Sequence, residues 1–180
     1  RALELAERGR GHVHPNPLVG AVIERDGVVL GEGFHGRFGG AHAEIEAIRD
    51  ATARHGARAS RGATIHVTLE PCAHRGKTPP CTEAIIGEGL GRVVFAMDDP
   101  NPLVAGQGRA ALAAAGIETE RGVEEAAARR LNRAYCRFHA TGLPRITWKS
   151  ASTLDGCAAF EPGCSPAISS PESRAYTDRL

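Results

Sequence analysis

Two short stretches constrain this chain more than anything else in it. His42-Ala43-Glu44 brings an imidazole and a carboxylate, and the run from Pro71 through Cys72, His74 and Lys77 to Pro80-Cys81 brings two thiols. His42, Cys72 and Cys81 make three candidate ligands for one zinc ion. Three protein ligands leave the fourth tetrahedral position open, as a catalytic zinc requires and a structural zinc does not. Glu44, two residues after the histidine, is the candidate proton carrier, near the metal without ligating it. The pattern reads as a hydrolytic deaminase site. His-X-Glu and the cysteine spacing are each weak alone, and their weight comes from occurring together, each half beside a helix start. A structural zinc site is the competing reading. Its only near fourth ligand is His74, and it has no use for Glu44.

At 180 residues the chain has room for one full α/β domain and the beginning of a second. A net charge of +1 gives no field that would favour nucleic acid or an anionic membrane, and 4% aromatic residues leave little surface for stacking bases. No apolar run is long enough to span a bilayer and no signal-peptide pattern is present, so no membrane partner is expected and the expected location is cytoplasmic. Five cysteines without disulfide-scaffold spacing suit a reducing compartment. Cys136, Cys157 and Cys164 read as plain buried or half-buried thiols. The chain opens without Met inside a helical pattern, so its first residues are expected to be missing.

Taken in order, Arg1 to Arg8 read as a short helix. His14-Pro15-Asn16-Pro17 cannot be helix, because each proline drives its predecessor to extended geometry, and it holds Asn16 stiffly for a specific hydrogen bond. Leu18 to Arg25 and Val28 to Phe34 read as an antiparallel pair joined by an Asp26-Gly27 turn. Ala41 to His55 read as a helix with Ile45 and Ile48 inward. Residues two apart do not share a helix face, so His42 and Glu44 can serve one metal site only from the first turn. Ala63 to Leu69 read as a strand delivering Cys72. Thr78 then reads as an N-cap, with Pro79 at the first helical position and a helix running to Leu90. Arg92 to Met97 (strand), Gly106 to Ala115 (helix), Ile117 to Glu120 (strand) and Val123 to Ala140 (long helix) complete an α/β sandwich with a mixed sheet. Cys72, Asp99 and Asn101 fall at strand ends, where such sheets gather function. Asp98 reads as a solvated or capping carboxylate. Gly142-Leu143-Pro144 marks a break, and Arg145 to Ser150 read as the first strand of something new.

The segments HPNPLVGAVI, GEGFHGRFGGAHAE, VTLEPCAHRGKTPPC and AMDDPNPLVAGQG resemble the deaminase domain of the bifunctional riboflavin-biosynthesis deaminase-reductases, over about residues 1 to 142. The resemblance implies a cytidine-deaminase-like three-layer α/β/α fold. It implies one Zn2+ per chain on His42, Cys72 and Cys81, with Glu44 as proton shuttle. Asn16, His35, His74, Lys77, Asp99 and Asn101 match family positions associated with substrate. The implied reaction removes the 2-amino group of 2,5-diamino-6-(5-phosphoribosylamino)pyrimidin-4-one as ammonia. His74 and Lys77 suit the pyrimidine edge or the phosphate, and Asp99 and Asn101 suit ribose hydroxyls. The related families also imply a homo-oligomer. Residues 143–180 resemble a linker and the start of the family's reductase domain, through Ser152-Thr153-Leu154-Asp155-Gly156. No glycine-rich phosphate loop follows, so reductase activity is not expected of this chain, and NADPH would enter only with a complete reductase domain. Residues 157–180 are expected to be poorly ordered.

A nucleoside or tRNA deaminase of the same fold remains the second reading. The near-zero charge, the few aromatics and the long loop between the cysteines weigh against it.

Overall fold

The computed structural model describes residues 1–74, 79–152, 154, 156, 157 and 169–177. Lys77, Thr78, Asp155 and Cys164 lie outside the described residues. The chain divides into two units, Arg1–Arg145 and Ile146–Leu180.

In the first unit the elements are α1 (Ala2–Glu7), β1 (Gly20–Arg25), β2 (Val28–Phe34), α2 (Ala43–His55), β3 (Thr64–Val67), α3 (Cys81–Glu88), β4 (Arg92–Phe95), α4 (Gln107–Ala114), β5 (Glu118–Arg121), α5 (Glu125–Leu131) and α6 (Arg133–Thr141). The sheet has the order β2-β1-β3-β4-β5. β1 runs antiparallel to β2 and β3, whereas β3, β4 and β5 are parallel. Asp26 and Gly27 both have positive φ, the backbone of a type I′ hairpin turn, which only a Gly-tolerant pair closes without strain.

One face of the sheet buries Ile23, Ile65, Val93 and Phe95 against Ala43, Ala47 and Ala51 of α2, Ile85 of α3 and Leu112 of α4. On the opposite face Leu69, Ala96 and Met97 meet Ala128 of α5, with Leu3 of α1 and Cys136 of α6 packed beside them. Helices therefore cover a mixed sheet on both sides, the expected α/β sandwich.

α2 meets the sheet chiefly through small residues; of the two expected inward positions Ile48 packs against the core at partial burial, whereas Ile45 is only partly buried and outside it. Ala43, Ala47 and Ala51 recur every fourth residue and are fully buried. Facing them are Gly31 and Gly33 of β2. A methyl on Gly33 would collide with Ala43 O and Ala47 N, and one on Gly31 with Ala47 O and Ala51 N. The helix backbone thus rests on bare strand backbone.

Three further expectations are corrected. The helix carrying the second cysteine begins at Cys81, with Pro80 extended (φ −57°, ψ 138°) as its N-cap, rather than at Pro79. Pro80 forces Pro79 out of helical geometry, and the chain turns in only afterwards. The long C-terminal helix is two helices, broken at Asn132 (φ −99°, ψ 26°). Its buried side chain accepts from Leu18 N at 2.8 Å and donates to Leu18 O at 2.9 Å. The third concerns residues 145–150, which form no strand; none pairs with them among the described residues, and Ile146 and Trp148 are exposed. In the second unit Pro171–Thr177 form a helix, α7.

Candidate functional site

The metal ligands come from the starts of two helices. His42 is the N-cap of α2, still extended at φ −76° and ψ 161°, and Glu44 lies in the first turn. Cys81 opens α3. Cys72 lies on the loop after β3, and α3 holds it by its amide ends. Cys81 N donates to Cys72 Sγ at 3.4 Å, and Thr82 N and Oγ1 donate to Cys72 O at 3.2 and 3.3 Å.

These elements bring His42, Cys72 and Cys81 together, with one donor atom from each and all three within 4.8 Å of one another. His42 Nδ1 lies 3.1 Å from Cys81 Sγ and 3.5 Å from Cys72 Sγ. Tetrahedral zinc at ordinary Zn–N and Zn–S lengths spaces a nitrogen and a sulfur about 3.5 Å apart, so the donor set fits the ion in both chemistry and size. His74 is not a fourth member of the cluster; it lines the pocket beside it. That disfavours the closed structural zinc site.

The electrostatics favour a cation. The two thiols share a proton: Cys81 S–H donates to Cys72, which also accepts from His42, and Cys72 is thereby pulled down to about 4. One sulfur is thus a thiolate ready to ligate. Glu44 is almost fully buried, and burial, then the neighbouring Cys72 charge, push its carboxyl up to about 7. A cation in the cage opposes both effects.

From the cage a cavity of about 500 Å³ opens, within the range of small-molecule sites. Asn16, His35, His74, Asp99 and Asn101 all line it. Lys77 lies outside the described residues. His35 is buried, and its Nδ1 can only donate to Ala41 O (3.0 Å), so its Nε2 accepts from Asn16 Nδ2 (3.1 Å). Burial lowers its pKa and keeps the ring neutral. Its ring meets that of His42 edge-on at 5.5 Å, which ties the Asn16 wall to the metal end.

At the far end, Asp99 Oδ1 accepts from Asn101 N at 2.9 Å and from the Tyr135 hydroxyl at 3.1 Å. Burial raises the pKa of both Asp99 and Tyr135. Asp98, one residue earlier, turns away to an ion pair with Arg121.

Among the lining residues that sequence reasoning missed are Glu70, Tyr135, Phe138 and His139. The last three share one face of α6 by their spacing, and Tyr135 and His139 rings stand 4.4 Å apart. Three aromatic rings on one helix face, in a chain with so few, were the available signal. Glu70 gave none, because two residues before Cys72 it read simply as a strand end.

The region of the chain spanning residues 1–97 matches the family described as the cytidine and deoxycytidylate deaminase zinc-binding region. The chain is 49% identical over 174 residues to riboflavin biosynthesis protein RibD of Escherichia coli K12, covering 97% of this chain and 46% of that protein. It superimposes on RibD of Acinetobacter baumannii with a TM-score of 0.90 at 46% identity, covering 99% of this chain and 49% of the other. A Thermotoga maritima structure described as a diaminohydroxyphosphoribosylaminopyrimidine deaminase/5-amino-6-(5-phosphoribosylamino)uracil reductase gives 0.89 at 45% identity, covering 99% of this chain and 51% of the other. The chain thus spans about half the length of the relatives it matches. It belongs to the cytidine and deoxycytidylate deaminase zinc-binding family, and its likeness to the riboflavin-biosynthesis deaminase-reductases runs along nearly all of its length.

Proposed function

We propose that this chain carries out the deaminase half of the bifunctional reaction: hydrolysis of 2,5-diamino-6-(5-phosphoribosylamino)pyrimidin-4-one to 5-amino-6-(5-phosphoribosylamino)uracil and ammonia. The observation that carries this reading is the three-donor cage with Glu44 in the same helical turn as His42, facing a cavity of small-molecule size. The likeness to RibD proteins supports the substrate.

His42, Cys72 and Cys81 would hold the zinc. Zinc, when bound, supplies the positive charge that makes water acidic enough to react near neutral pH. Glu44 takes a proton from the water that attacks the amidine carbon and gives it to the ring nitrogen of the amidine. It then carries the proton of the new hydroxyl to the exocyclic nitrogen, which leaves as ammonia as the C–N bond breaks and the carbonyl forms. Its burial keeps bulk water from short-circuiting that transfer. Asn16, held by His35, offers its side-chain amide to the ring edge. Asp99 and Asn101 face the ribose hydroxyls, and His74 with Lys77 the pyrimidine edge or the phosphate. Among the described residues no helix is long and apolar enough to cross a membrane. We further propose a cytoplasmic homo-oligomer, a domain boundary near residue 142 and NADPH use only alongside a complete reductase domain.

The test is ammonia release by the zinc-loaded chain from the diaminopyrimidine phosphate, with cytidine and adenosine as rivals. Turnover of the pyrimidine phosphate alone is expected. Turnover of cytidine with none of the pyrimidine phosphate sinks the assignment.

A further inference from the structure

Glu70 is a buried carboxylate that the chemistry above does not use. It is 5% exposed and sits two residues before Cys72. Its own amide continues the β3–β4 register by donating to Met97 O at 2.9 Å, so its backbone is fixed to the sheet. Both of its oxygens are engaged by backbone amides of one arm. Oε2 accepts from Gly106 N at 2.9 Å and Asp99 N at 3.4 Å, and Oε1 accepts from Arg109 N at 3.1 Å.

The arm needs such a partner. α4 has Gly106 as N-cap and no side-chain cap of its own, so its first amides lack acceptors within the helix. Glu70 serves them from another element, placing negative charge where the helix dipole favours it. The fit is close: a methyl on Gly108 would collide with Pro71 O. Between Asp99 and Gly106 the arm folds on itself, with Val104 N and Ala105 N both donating to Asn101 O at 3.0 Å. One carboxylate therefore fixes the stretch that carries Asp99 and Asn101. It does so from the same few residues of backbone that carry the metal ligand Cys72.

The geometry points to Glu70 as a positioning residue: it sets the distance between the metal end of the pocket and the arm that reads the substrate. Both of its oxygens are turned to the arm's amides, so it acts through Asp99 and Asn101. The kinetic part of this inference rests on the proposed deaminase reading.

The experiment uses the zinc-loaded chain with Glu70→Gln, which preserves size but turns an N–H2 group onto N–H donors. Amide hydrogen exchange at Gly106 and Arg109 is expected to accelerate about tenfold while that of Ile65 and Val67 in β3 stays as in wild type. Zinc content should remain one per chain. KM for the diaminopyrimidine phosphate should rise about tenfold with kcat nearly unchanged. In an Asp99→Ala background the same substitution should raise KM by less than about twofold, because the two act as a unit. Glu70→Asp keeps the charge and shortens its reach, so it should fall between wild type and Glu70→Gln; it takes the place of Glu70→Gln if that variant does not fold. Unchanged exchange at Gly106 and Arg109, loss of zinc, or a KM effect undiminished without Asp99 would each overturn the inference. If the wild-type chain does not turn over the pyrimidine phosphate, the deaminase reading fails, and the exchange result alone keeps or overturns the brace.

Discussion

The two ends of the pocket are built by opposite means. At the metal end, His42 and Glu44 hang on the first residues of α2 and Cys81 on the first of α3, with Cys72 held by α3's amides. Two short stretches suffice, and regular backbone supplies the geometry. At the far end, Asp99 and Asn101 ride on an irregular arm held by Glu70, while Tyr135 reaches Asp99 from α6. That end is assembled from three distant parts of the chain, each dependent on a side-chain hydrogen bond. A cage fixed by secondary structure keeps the chemistry constant, whereas a wall fixed by side chains can be altered piece by piece to change what is bound.

Substitutions can break or sharpen that contrast. Glu44→Gln should cut turnover by about 10³-fold while metal analysis still finds one zinc per chain. Loss of zinc would instead make Glu44 a ligand and erase the division of labour within the metal end. Asn132→Ala should cost about 2 kcal/mol in denaturant unfolding, because Leu18 N–H and C=O are left buried without partners. Since Asn132 is the N-cap of α6, KM should rise with it, and zinc content should not change. Tyr135→Phe removes one hydroxyl and should raise KM by about five- to tenfold with kcat preserved, as expected for one hydrogen bond to a half-buried carboxylate. A fall in kcat without a change in KM would place Tyr135 in the chemistry and blur the two ends together. Asp98→Ala, one residue from Asp99, should change KM by less than about twofold, because its partner is the half-exposed Arg121.

The same contrast decides what could be read from the residues alone. The hairpin is local: Asp26-Gly27 tolerates positive φ at both positions, and the strands follow. The placement of His42 and Glu44 in a first turn is local too, since two residues apart they could meet one ion nowhere else on a helix. What escaped depends on partners far along the chain. Nothing near Asn132 announces a break, because the cause is Leu18, 114 residues away. Nothing near Glu70 announces a helix cap, because the helix it caps starts at Gln107. Arg145 to Ser150 read as a strand, but a strand exists only with a neighbour, and none pairs with it among the described residues.

Gly31 and Gly33 have no functional group, yet they set a dimension of the metal site. The height of α2 above the sheet is the height of His42 and Glu44, and it is defined by two methyls that are missing. A single added carbon at either position works as a shim under the whole helix, lifting an imidazole and a carboxylate together away from two sulfurs that stay where they were. The tolerance of this centre is therefore written in strand residues that touch neither metal nor substrate.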